Sequence, residues 1–254
     1  MGNGGAVQFK VFGRVEALRG EDSCVVGRSK VGQMVSLLLA RNNEIVSVDT
    51  LIAELWGERV PRSALTTLQT YVYHARKLFE THLSVASPEK LLVTHSSGYL
   101  IAVADGALDA ARFERLVKEG VGRFNAGDVE SASVQISEAL HISRGSAFSG
   151  VPLGRVLEAH VTYLQELRFS AIGVRIEANR RLGRHRELIP ELRALVSEYP
   201  LNESFHAELI GALHHCGRRA EALQAYRKLW NLLDDELGVQ PSAQLQDVYQ
   251  KILV

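Results

Sequence analysis

Apolar and polar residues alternate at the start of the chain, with Val7, Phe9 and Val11 separated by Gln8 and Lys10. A period of two marks strands with one covered face. Gly13 and Gly20-Glu21-Asp22 supply turns, so Val7 to Val26 predicts a small antiparallel sheet. The period then changes. Behind Ser29, a suitable N-cap, Val31, Met34, Val35 and Leu38 recur at helical spacing and predict a first helix, Lys30 to Arg41. Asn42-Asn43 ends it, and Glu44-Ile45-Val46 is a short extended link. Ser47 caps a second helix carrying Val48, Leu51, Ile52, Leu55 and Trp56 on one stripe, and Gly57 stops it. A third helix, Pro61 to Glu80, places Leu65, Leu68, Val72, Ala75 and Phe79 on one side. Leu91 to His95, the turn Ser96-Ser97-Gly98 and Tyr99 to Val103 then predict a β-hairpin. Two helices joined by a short loop and closed by a hairpin make a winged helix-turn-helix.

After Val103 the strand pattern disappears and the chain reads as helix throughout. Three segments share one plan, a helix, a glycine and a second helix opened by polar residues, around Gly127, Gly183 and Gly217. Gly183 and Gly217 stand 34 residues apart, the period of tetratricopeptide repeats. The longer interval from Gly127 to Gly183 predicts an insertion, with GSAFSGVPLG, Gly145 to Gly154, as its loop. Tyr199-Pro200 and Gln240-Pro241 are expected to stop helices, and Asn202 and Ser242 to cap the next ones. The fold class expected is therefore an α+β winged helix-turn-helix domain, residues 7–105, followed by an all-α tetratricopeptide-like domain, residues 106–254. Residues 1–6 are expected to be a disordered tail.

The outer face of the third helix carries the candidate chemistry. At about 100° per residue, the side opposite the apolar stripe collects Thr66, Thr67, Thr70, Tyr73, His74 and Lys77. These are hydroxyls, an imidazole and an ammonium, with no carboxylate. Short hydrogen-bonding groups free of acid suit base-pair edges and the phosphates beside them. Thr66, Thr67, Thr70, Tyr73 and His74 are candidate base or near-phosphate contacts. Arg76 and Lys77 are candidate phosphate neutralisers, and Arg62 and Lys90 flank the motif in the same role.

Composition narrows the class of partner. Basic and acidic residues balance at 29 each, so a strongly basic DNA-coating protein is excluded and any electrostatic footprint is local. Cys24 and Cys216 are the two cysteines. They make neither a disulfide framework nor a metal-ligand spacing, and a reduced cytosol fits. No apolar run is long enough for a membrane span, and the N-terminus lacks the pattern of a secretory signal. Three near-motifs fall away. Gly27 to Gly32 has phosphate-loop glycine spacing but ends in Gln33-Met34 where Lys-Ser/Thr is required. His214-His215-Cys216 are successive helical positions that cannot converge on one ion unaided. Asp234-Asp235-Glu236 reads as a solvated helix end. No nucleophile–base pair occurs, so an enzyme is not expected, and neither a cofactor nor a metal is implied.

The blocks SLLLARNNEIVSVDTLIAELWG, ALTTLQTYVYHARK and SSGYLI resemble an OmpR-type winged helix-turn-helix. AEALQAYRKLWNLLDDELGVQPSAQLQDVYQKIL resembles a bacterial transcriptional activation domain. In this order, over residues 7 to 254, the chain is similar to the Streptomyces antibiotic regulatory protein (SARP) family. The resemblance implies a transcriptional activator of secondary-metabolite gene clusters that binds direct repeats near the −35 promoter element as head-to-tail pairs. It implies recruitment of RNA polymerase holoenzyme, including its sigma subunit, by the loop Gly57, Glu58, Arg59, Val60 and Pro61 and by the helical half. It places Ser97, at the wing turn, against DNA, and the protein in the cytoplasm at the nucleoid. Many relatives carry arginine where this chain has His74. Arginine pairs bidentately with guanine, whereas neutral histidine offers one contact per nitrogen. The alternative expectation is a protein-interaction scaffold built on the helical repeats.

Overall fold

The computed structural model describes residues 5–253, so most of the expected 1–6 tail, and Val254, lie outside the described residues. The chain forms two compact units. One runs to Gly122 and includes Val134–Ile172; the other comprises Arg123–Ser133 and Gly173 onward.

The first unit begins with an antiparallel sheet of β1 (Gln8–Lys10), β2 (Glu16–Arg19) and β3 (Asp22–Val25), in that order. Phe9 faces Ala17, which faces Cys24. All three are buried, while Gln8 and Lys10 are exposed, as the period of two requires. Helix α1 (Lys30–Ala40) is capped by Ser29, whose side chain accepts from the Gly32 amide. It is buried along nearly its whole length because two further helices and a strand of the hairpin that follows them pack around it.

Val46–Ser47 is strand β4 rather than a free link. It pairs with the hairpin strand β6 (Gly98–Ile101), which pairs in turn with β5 (Leu92–His95). A Cβ on Gly98 would lie 2.8 Å from the Val46 carbonyl carbon, so glycine alone allows this approach. Helix α2 (Val48–Trp56) is capped by Ser47 and ends at Gly57, φ 57°. Helix α3 spans Ala64–Leu83, three residues later at each end than the apolar pattern predicts. Leu68, Val72, Ala75 and Phe79 are buried as expected, but Leu65 is 51% exposed. A short helix α4 (Pro88–Leu91), which the sequence pattern missed, leads into β5.

Helices α5 (Asp109–Asn125), α6 (Val129–Ile142) and α7 (Arg155–Arg181) follow. The expected insertion is partly the non-helical segment 143–154 and partly the unusual length of α7. That segment is not a free loop. Phe148 N donates to Val11 O at 2.7 Å, Ser149 N to Gly13 O at 2.8 Å and Gly13 N to Ser146 O at 3.0 Å. It thus runs along the chain just after β1. Asp109 locks the same stretch, accepting from the amides of Val11 (2.9 Å) and Phe12 (3.2 Å).

In the second unit α9 (Glu203–His215) packs between α8 (His185–Glu198) and α10 (Arg219–Leu237), and α11 (Ala243–Leu253) rests on α9 and α10. Asn202 caps α9 by accepting from Phe205 N. Helix α10 stops at Gly238, φ 64°, before the expected Gln240-Pro241, because a left-handed glycine satisfies the last carbonyls. Gly127, Gly183 and Gly217 all have positive φ, which confines these turns to glycine at little strain. Among the described residues no helix is long and apolar enough to cross a membrane.

Candidate DNA interface

Helix α3 is held from three sides, and its remaining side is the candidate surface. Phe79 meets Phe9 edge-on at 6.2 Å, and Tyr71 stacks on Trp56 at the end of α2. Arg19 donates to Leu83 O at 3.2 Å, which fixes the far end. Arg62, Leu65, Thr66, Gln69, Thr70, Tyr73, His74, Lys77 and Glu80 are among the exposed residues, with Thr67 half-buried.

The threonines are partly engaged with their own helix. Thr70 Oγ1 donates to Thr66 O at 3.0 Å, and Thr67 Oγ1 reaches Ser63 Oγ at 3.5 Å. Tyr73 is 57% exposed and sits edge-on to His74, ring centres 5.6 Å apart. The pair forms one projecting aromatic ridge. Lys77 Nζ bonds Glu80 at 2.9 Å, and that carboxylate holds the ammonium's pKa above its ordinary value. The face is therefore not free of acid, since Glu80 enters it in the fifth turn.

Arg76, a candidate phosphate neutraliser, is half-buried and engaged within the protein. Its Nε and Nη2 donate to Leu92 O at 3.1 and 2.7 Å, and Nη2 also to Thr94 Oγ1 at 2.8 Å. The guanidinium ties α3 to β5. Arg76 was expected to neutralise phosphate; the fork geometry here serves the protein's own carbonyl first.

At the wing turn Ser97 is exposed, its hydroxyl 3.2 Å from His95 Nδ1, while its carbonyl accepts from Val48 N at 3.3 Å. Lys90 is exposed on α4, outside the helix-turn-helix itself. The loop from Gly57 to Val60 is exposed and Pro61 half-buried. Arg59 N donates to Trp56 O and Ala64 N to Pro61 O, which folds the loop into two consecutive turns.

Gln69 is the residue that sequence reasoning missed. It lies three positions after Thr66 and four before Tyr73, in the middle of the outer face, and its spacing alone could have identified it. A glutamine amide presents a donor and an acceptor together, the pattern that pairs with adenine in the major groove. The former near-motifs have structural roles. Gly27 to Ser29 leads into α1, and a Cβ on Gly32 would overlap the Gly27 carbonyl. His215 stacks on His185 at 4.5 Å. Asp234, Asp235 and Glu236 are exposed on the last turn of α10.

A sheet-supported helix-turn-helix with a wing, followed by stacked helix pairs, defines the class: a DNA-binding transcriptional regulator with an attached helical activator domain. Residues 22–101 match the family described as transcriptional regulatory protein, C terminal, and residues 108–253 match the bacterial transcriptional activator domain. Regulatory protein DnrI of Streptomyces peucetius is 38% identical over 97% of this chain and 92% of its own length. Regulatory protein AfsR of Streptomyces coelicolor is 34% identical over 98% of this chain, which spans 24% of AfsR. Among solved structures, Mycobacterium tuberculosis EmbR in complex with a low-affinity phosphopeptide matches with a TM-score of 0.85 at 30% identity, covering 98% of this chain and 65% of EmbR. The chain belongs to the Streptomyces antibiotic regulatory protein family, and it is a DNA-binding transcriptional activator acting on promoter DNA and RNA polymerase.

Proposed function

We propose that α3 enters the major groove of a promoter with Thr66, Gln69, Thr70, Tyr73 and His74 toward base edges, while Arg62, Lys77, Lys90 and Ser97 meet flanking phosphates. The reading is carried by one observation: the exposed polar face of α3, held by Trp56–Tyr71 on one flank and by the Arg76–Leu92 link to the wing on the other. Arg76 acts in it as the residue that sets the wing. Two copies bind head-to-tail on direct repeats near the −35 element. The loop Gly57–Pro61 and the helical domain, residues 106–254, recruit polymerase holoenzyme, with the sigma subunit at the loop. The regulated genes form a secondary-metabolite cluster, and the protein works at the nucleoid without catalysing a reaction. Balanced charge supports a reader of few sites over a general DNA binder.

Footprinting of promoter DNA, followed by titration of wild type, Thr70→Ala and His74→Ala, tests the reading. Each variant should lose affinity for the protected repeat by about 1–3 kcal/mol and relax preference at one position. Unchanged binding by both variants would refute the assigned face.

A further inference from the structure

Glu54 sits in the last turn of α2 with its side chain turned away from the DNA face. It is buried, 6% exposed, and both carboxylate oxygens are occupied. Oε2 accepts from Val156 N and Oε1 from Leu157 N, each at 2.9 Å. These amides belong to the first turn of α7, where N–H groups lack partners within the helix and the helix dipole favours negative charge. The carboxylate is thus a capping group supplied by a helix 102 residues earlier in the chain.

Two other observations converge on this point. A Cβ on Gly154 would lie 2.7 Å from the Glu54 carbonyl oxygen and from Oε1, so the approach of the segment before α7 to α2 requires glycine there. The Glu54 carbonyl also accepts from buried Gln33 Nε2 at 3.0 Å, and Lys30 Nζ bonds the Leu55 carbonyl. The start of α1, the end of α2 and the start of α7 are pinned at one junction. Two residues beyond it the chain enters the loop Gly57–Pro61, exposed as far as Val60 and anchored by its end on α2 and by its own turn hydrogen bonds. Helix α3 shares the Trp56–Tyr71 stack with the end of α2 but has three further anchors, at Phe9, Leu92 and Arg19, that do not pass through α2.

We propose that Glu54 is a positioning residue for transcription activation: its bidentate cap on α7 holds the end of α2, and hence the Gly57–Pro61 loop, in the orientation that meets polymerase. This rests on the proposed role of that loop. The cap matters for the output of the bound protein and little for where it binds.

The test uses the full chain in a purified transcription assay at activator concentrations that saturate the footprint. Glu54→Ala and Gly154→Ala should each lower maximal transcription roughly tenfold, the scale of one lost charge-assisted hydrogen bond. Footprint boundaries and base preference should stay unchanged. Glu54→Gln keeps one strong acceptor oxygen and should fall between. Amide exchange should quicken at Gly57 and Arg59, whose N–H groups donate to Ala53 O and Trp56 O, and stay slow in α3. Full activation by all three variants at saturation overturns the proposal, as does loss of DNA binding in step with activation, which indicates only a general folding role. Glu58→Ala and Arg59→Ala separate the two layers. If these loop variants activate normally, the loop's role fails and the proposal with it. If they are defective while Glu54→Ala and Gly154→Ala are not, only the proposal fails.

Discussion

Trp56 and Tyr71 stack with ring centres 6.0 Å apart and planes 16° from parallel, joining the end of α2 to the middle of α3. This contact joins the two helices of the helix-turn-helix directly, beside the packing of both on α1. Truncation by Tyr71→Ala removes the stacking and part of its buried area. It should cost about 1–3 kcal/mol, read as a lower thermal midpoint. Tyr71→Phe keeps the ring and should leave the midpoint near wild type.

Arg76 is expected to act on DNA through the wing. Arg76→Ala leaves the Leu92 carbonyl without its partner and frees β5 from α3. DNA affinity should fall for all sequences alike, with base preference retained. Arg76→Lys should rescue poorly, since an ammonium cannot reproduce the forked contact to Leu92 O and Thr94. Competition gel shifts against mismatched repeats provide the measurement.

Gln69 stands at the centre of the outer face. Gln69→Ala should weaken the cognate site by about 1–3 kcal/mol and remove discrimination at a single base pair, leaving the salt slope unchanged. Lys77→Ala should behave oppositely, flattening the salt slope while preference persists. A selection experiment over randomised repeats distinguishes them.

Cys24 provides a pH signature for the sheet. Burial pushes its thiol from 9.0 up to about 11, against a smaller lowering by its hydrogen bond with the Ala17 backbone. A thiol whose folded pKa is raised favours the folded state in its protonated form. That contribution is intact below 9.0 and declines as pH rises toward about 11. Denaturant midpoints should therefore decline across this interval, and Cys24→Ser should lessen the decline. Near neutrality Cys24 should resist thiol reagents until the protein unfolds, whereas half-buried Cys216 reacts first.

Gly98 tests the wing's support. Gly98→Ala forces a Cβ into the Val46 carbonyl, so β4 and β6 must part. The variant should lose stability and DNA affinity together, with amide exchange accelerating first at Val46 and Tyr99.

The local elements were legible because their signals are local. Ser29 and Ser47 announced their helices by cap position, and both side chains accept as expected. Gly127, Gly183 and Gly217 marked the helix turns because only glycine enters that backbone region cheaply. Helix α3 begins three residues after the expected Pro61 because the chain there forms a turn closed by Ala64 N donating to Pro61 O. Leu65 joined the apolar stripe on the wheel, but no neighbouring element covers it.

By itself the sequence determined the winged helix-turn-helix, the helical second half and the polar face of α3, since period, caps and turn residues act over a few positions. Tertiary structure alone decided that Arg76 bonds the wing, that segment 143–154 runs beside Val11 and Gly13, and that Glu54 caps α7. These are hydrogen bonds from side chains or backbone to backbone groups distant in the chain. A backbone amide looks the same at every position, so such bonds leave no pattern in the residues that accept or donate them.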